Sequence, residues 1–226
     1  MTKGFGWLRR SRPEPTRPNA VKTPTRKQGA SIGAAVAIII AAVFAVEGGY
    51  SNDSADPGGA TNHGVTERVA RQHGYRGDMR DFPRECRYEG EVCAASIYRK
   101  DYIERPGFLP LVEIDPVVAE EVIDTAVNMG PPRPSRWFQQ AVNATCNTRL
   151  QVDGRIGPMT VKAWRDCRSY LGADACVMML DRLDAQQEAE YDRLVRVNPS
   201  LSRFRRGWQN HRIGNVDRSR CGEDLS

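Results

Sequence analysis

The chain has 226 residues, 27% of them charged, with a formal net charge of +5. That length suffices for one compact domain with a real core, or for a small catalytic domain with an appended helical module. Eight basic residues (Lys3, Arg9, Arg10, Arg12, Arg17, Lys22, Arg26 and Lys27) fall in residues 1–28 beside the single acid Glu14; taking these from 33 basic and 28 acidic residues leaves 25 and 27. The positive balance is thus a terminal feature, which argues against a nucleic-acid-binding surface.

With four prolines and that charge, residues 1–28 are expected to form a disordered cytoplasmic tail. Gly29 to Val46 follows, 18 uncharged residues reading GASIGAAVAIIIAAVFAV. At about 1.5 Å per residue a helix of this length reaches ~27 Å, just short of the ~30 Å hydrocarbon layer. Ten of the 18 are Gly, Ala or Ser, so insertion rests on Ile32, Val36, Ile38, Ile39, Ile40, Val43, Phe44 and Val46. The segment is read as a weak transmembrane signal anchor with everything after Val46 exported; a cleaved signal peptide ending at Val43-Phe44-Ala45 is the competing reading.

All six cysteines, Cys86, Cys93, Cys146, Cys167, Cys176 and Cys221, lie on the exported side. An even count in an oxidising compartment predicts up to three disulfides, Cys86 with Cys93 being favoured because the loop between them is short. No CxxC is present and His63, His73 and His211 are not at ligand spacing with the cysteines, so neither metal nor cofactor is expected.

The remaining pattern is helical. A short hairpin is expected within Ser51 to Val65. Asp115-Pro116 caps a helix striped by Val118, Val122, Ala126 and Met129, and Gly130-Pro131-Pro132 stops it. Further helices are predicted over Trp137 to Leu150, Thr160 to Leu171 and Cys176 to Val197, with a turn at Asp153 to Pro158.

The chemistry concentrates in Glu47 to Thr66, which begins with a carboxylate directly after the apolar segment and adds Asp53 and Asp56 in a glycine-rich loop. Breaking a glycosidic bond needs a carboxylic acid to protonate the leaving oxygen and a second group on the other face of the sugar. A glutamate at the end of an apolar helix is open to desolvation, which favours its protonated form. Asp-Pro-Gly-Gly is equally a strong turn signal, so Asp53 and Asp56 also have a purely local reading.

Glu47-Gly-Gly-Tyr-Ser-Asn-Asp53, Asp56-Pro-Gly-Gly-Ala-Thr-Asn62 and Gly64-Val-Thr66 resemble the opening of the glycoside hydrolase family 108 muramidases. The family order continues through Ile97 to Tyr102, Asp124 to Pro131, Phe138 to Asn143, Asp153 to Thr160, Tyr191 to Leu194 and Phe204 to Asn210. The resemblance implies a mainly α, lysozyme-like fold (α+β with minimal β) behind one N-terminal signal-anchor helix. It divides the chain into a 1–28 tail, a 29–46 anchor, a 47–135 catalytic region, a 136–212 peptidoglycan-binding region and a 213–226 tail.

By the same resemblance Glu47 is the proton donor. Asp56 is the preferred second carboxylate, with Asp53 its competitor, and Tyr50, Thr61, Asn62, Thr66 and Asn128 bind substrate or support the site. Where the family often has Trp, the chain has Ile103, a sugar-stacking or core position. The expected activity is cleavage of the bond between N-acetylmuramic acid and N-acetylglucosamine, with glycan strands as partner and a monomer after release. The arrangement is similar to signal-arrest-release endolysins of phages, which leave the inner membrane for the periplasm; Ile38, Ile39, Ile40 and Phe44 are then expected to supply core contacts. Alternatives are a tethered wall-binding protein without hydrolysis, or a host or morphogenetic remodelling muramidase.

Overall fold

The structure is a computed structural model that describes residues 26–46, 49–52 and 59–222, with side chains described for residues 32–45 of the first segment. Its first element, α1 (Arg26–Val46), is followed by a hairpin of β1 (Thr61–Asn62) and β2 (Val65–Thr66) and by α2 (Glu67–Gln72). Then come α3 (Ala94–Tyr98), a π-helical turn (Arg99–Glu104), α4 (Leu109–Ile114), α5 (Pro116–Met129), α6 (Pro132–Cys146), α7 (Pro158–Leu171), α8 (Ala173–Val197) and α9 (Ser202–Arg212).

The fold does not support the expected membrane span. Among the described residues no helix is long and apolar enough to cross a membrane. Instead Val36, Ile39, Ile40, Val43 and Phe44 form a stripe at i, i+3, i+4, i+7 and i+8 that is buried in the core, with α1 packed on α4 and α5. Ala34, Ala37, Ala41 and Ala45 face outward. Ile38, expected in the core, is 62% exposed, because it falls between the buried positions of the 3.6-residue repeat.

α5 is the pivot. Asp115 caps it by accepting from the Val118 N–H at 3.2 Å, and Gly130, at φ 83°, ends it where a side chain would be strained. It is buried nearly all round, including Glu121, Asp124 and Thr125, because α1 and α4 pack on it from the catalytic region while α6 and α8 pack on it from the other. α6 begins at Pro132, five residues earlier than its stripe indicates, since proline is suited to a first helical turn. It ends at Cys146 with Asn147 left-handed at φ 51°. Ile103 is fully buried, so the position is a core one and not a sugar platform.

Three disulfides form, Cys86–Cys93, Cys146–Cys167 and Cys176–Cys221. Four arginines of the C-terminal stretch are paired with acids: Arg212 to Asp124 at 2.5 Å, Arg205 to Asp192 at 2.7 Å, Arg220 to Glu120 at 2.8 Å, and Arg218 to Asp184. The turn at Asp153 to Pro158 is likewise a helix connection. Gln139, 2% exposed, donates to Asp153 Oδ1 at 2.8 Å and to the Arg155 carbonyl at 3.0 Å, and accepts from the Gly154 N–H at 2.8 Å.

Candidate active site

The site is built around the chain that leaves α1. Val46 is the last residue of that helix, and Glu47 is the next residue in sequence. Glu47, Asp53 and Asp56 all lie outside the described residues. The frame around them is described. Ser51 and Thr61 exchange backbone hydrogen bonds of 2.8 and 2.7 Å, so the chain returns at Thr61 to the place it left at Ser51. Thr61 pairs in turn with Thr66 across the hairpin, so Ser51, Thr61 and Thr66 lie side by side in a minimal sheet. The hairpin turn is His63-Gly64, both with positive φ, 50° and 73°, as a two-residue primed turn requires.

The supporting residues divide by role. Asn62 is 5% exposed and its amide donates to the Met79 carbonyl at 2.8 Å, tying the hairpin to the 3₁₀ turn Met79–Asp81; it is a strut. Thr66 caps α2 through a 3.4 Å bond from the Val69 N–H. Thr61 contributes its backbone. Tyr50 is 40% exposed, with the Arg80 guanidinium 5.7 Å from its ring centroid, which suits a sugar-facing surface. Asn128 belongs to a separate set of contacts: its Oδ1 accepts from the Tyr191 hydroxyl at 2.9 Å, and Tyr191 stacks on Trp208 at 4.7 Å. Burial pushes the Tyr191 phenol up to about 12, so it stays a donor.

The fold adds two basic residues that no sequence motif marks. Arg80 reaches Tyr50, and Arg84 lies 4.9 Å over the ring of Phe44, three residues before Glu47 in the chain. Partial burial, and then the Arg84 charge, hold the His63 imidazole below its ordinary value. Neither arginine belongs to a motif; only the fold brings them here. Among the described residues there is no group of acidic, His and Cys side chains able to hold a metal ion.

Among the described residues a helical body carries one hairpin of two-residue strands and three disulfides, a mainly α arrangement of the lysozyme-like class. Residues 40–130 match the family model described as Glycosyl hydrolase 108, and residues 133–213 match one described as Predicted Peptidoglycan domain. The first match marks the chain as a lysozyme-like glycoside hydrolase acting on peptidoglycan, and the second follows it directly along the chain. No curated protein matches. Among solved structures the chain is similar to one titled "Structure of Brucella abortus SagA", with TM-score 0.58 and 25% identity over 85% of this chain and 98% of that one.

Proposed function

We propose that the chain is an exported N-acetylmuramidase of the phage endolysin kind, cutting the bond between N-acetylmuramic acid and N-acetylglucosamine. Glu47 protonates the leaving glycosidic oxygen, and Asp56 stabilises the developing positive charge or activates water on the opposite face. Tyr50, with Arg80 against it, presents an aromatic face to a sugar ring.

The observation that carries this reading is the sequence position of Glu47, directly after a helix whose stripe is buried in the core and four residues before the Ser51–Thr61 bridge. A general acid needs a fixed, partly dry support, and a core helix supplies one. The same segment is a releasable anchor. Five of its larger side chains, Val36, Ile39, Ile40, Val43 and Phe44, are buried, whereas its exposed face is mostly alanine, which costs little in either lipid or water. Removal of the segment by a signal peptidase would strip Val36, Ile39, Ile40, Val43 and Phe44 from the core, which favours retention.

Turbidity clearing of permeabilised Gram-negative cells, with liquid-chromatographic mass analysis of the released muropeptides, tests the reading. Muropeptides ending in reducing N-acetylmuramic acid are expected. Products ending in N-acetylglucosamine, or no products, overturn it.

A further inference from the structure

Two of the most exposed large apolar side chains of the molecule, Tyr170 at 88% and Met159 at 74%, line one groove. It lies between α7 and the segment after α6, with a volume of about 690 Å³, and the Cys146–Cys167 disulfide is part of its lining. Met159, Lys162, Ala163, Asp166 and Tyr170 follow one another at helical spacing along a single face of α7, while Val161, Trp164 and Cys167 turn into the core. The eleven helical steps from Met159 to Tyr170 place the two ends ~16 Å apart along the axis, room for more than one sugar ring.

The groove's chemistry selects its occupant. Exposed aromatic and thioether surfaces suit the apolar face of a pyranose, and Asn147 and Thr148 on the rim offer amide and hydroxyl groups to sugar hydroxyls and N-acetyl groups. Lys162 is paired with Asp166, but Arg149 on the same rim is exposed and has no acidic partner among the described residues. That cation complements a carboxylate. Peptidoglycan carries carboxylates on its lactyl ethers and peptide stems alongside its sugars. We propose that this groove is where the C-terminal region holds the wall: a glycan ring over Tyr170 and Met159, with a carboxylate against Arg149. The assignment rests on the peptidoglycan-binding reading of residues 133–213.

The test is sedimentation of the full chain with purified sacculi at 4 °C, comparing wild type with Tyr170→Ala, Met159→Ala, Arg149→Glu and, as control outside the groove, Val197→Ala. Val197 is 71% exposed, and thermal melts check that all variants fold. Tyr170→Ala and Arg149→Glu are expected to weaken wall binding at least about tenfold, the usual scale for an aromatic or arginine anchor, with Val197→Ala unchanged. Folded groove variants that sediment like wild type overturn the assignment while leaving wall binding intact, as does a control that falls equally. Wild type that stays in the supernatant overturns the wall-binding reading and this site with it.

Discussion

The ring of Phe44, in the last two turns of α1, meets the ring of Tyr98, on α3, edge-on with centroids 5.2 Å apart. Both side chains are buried. This contact joins the apolar N-terminal segment to the catalytic core a few residues before the proposed acid. Phe44→Ala is expected to destabilise the soluble protein by ~3–5 kcal/mol, the usual cost of emptying a buried phenylalanine site, and to lower muralytic activity with it. Denaturant melts beside lysis rates check this; a stable, active variant would show that α1 does not support the site.

Leucine at Gly33, Ala34, Ala37 and Ala41 tests the anchor. Ala34, Ala37 and Ala41 face outward, and a Cβ at Gly33 meets nothing within 4 Å, so the folded enzyme has room for all four. Melting of the refolded variant should stay close to wild type, as surface changes usually do. In cells the more apolar segment is expected to stay in the membrane and delay lysis, while collapse of the membrane potential releases uncleaved wild type. Lysis on schedule by the leucine variant removes the release mechanism, and a soluble wild-type species starting at Val46 establishes signal-peptide cleavage.

Glu47→Gln keeps the shape of the side chain but cannot donate the proton. Muralytic turnover should fall at least ~100-fold, within the range of general acid catalysis, with wall sedimentation unchanged. Asp56→Asn should impair turnover by a smaller factor. If Asp53→Asn is the damaging change, the second carboxylate has been misassigned.

The three disulfides close chain separations of 7, 21 and 45 residues. On the chain-entropy account the longest restrains the unfolded state most, by about 4 kcal/mol against roughly 2.4 for the shortest. Cys176→Ser with Cys221→Ser should therefore lower stability more than Cys86→Ser with Cys93→Ser. Urea titration of both pairs, after non-reducing mass spectrometry of wild type, measures the order; the reverse order would mean native-state packing outweighs the entropy term.

Glu121, fully buried on α5, accepts from the Thr125 hydroxyl at 3.1 Å. Burial, and then the Asp184 and Asp124 carboxylates, push its pKa well above the usual 4.5. The folded chain thus holds this proton to higher pH than the unfolded chain, and the group's contribution to stability falls as pH rises from about 4.5 towards its folded value. Glu121→Gln should lose that decline, matching wild type in acid and exceeding it at neutral pH. Parallel stability–pH curves for the two would place the ionised form in the native core.

Local signals were enough for several elements. Asp115-Pro116 and Gly130 marked both ends of α5, apolar spacing found α7 and α8 to within a few residues, and the motif run beginning at Glu47 carried the family. These depend on neighbours along the chain, where capping, turn chemistry and helical period act. The short Cys86–Cys93 loop was legible on the same ground. What local order leaves open is which surface an apolar stretch meets. Gly29 to Val46 has the composition of a marginal membrane span, and it is the faces offered by α3, α4 and α5 that make Val36, Ile39, Ile40, Val43 and Phe44 a core stripe while leaving Ile38 outside. The Cys146–Cys167 and Cys176–Cys221 pairings, the strut role of Asn62 on Met79, and the approach of Arg80 and Arg84 to Tyr50 and Phe44 are likewise long-range facts. Each joins residues whose proximity comes from packing, and burial is decided by the whole fold.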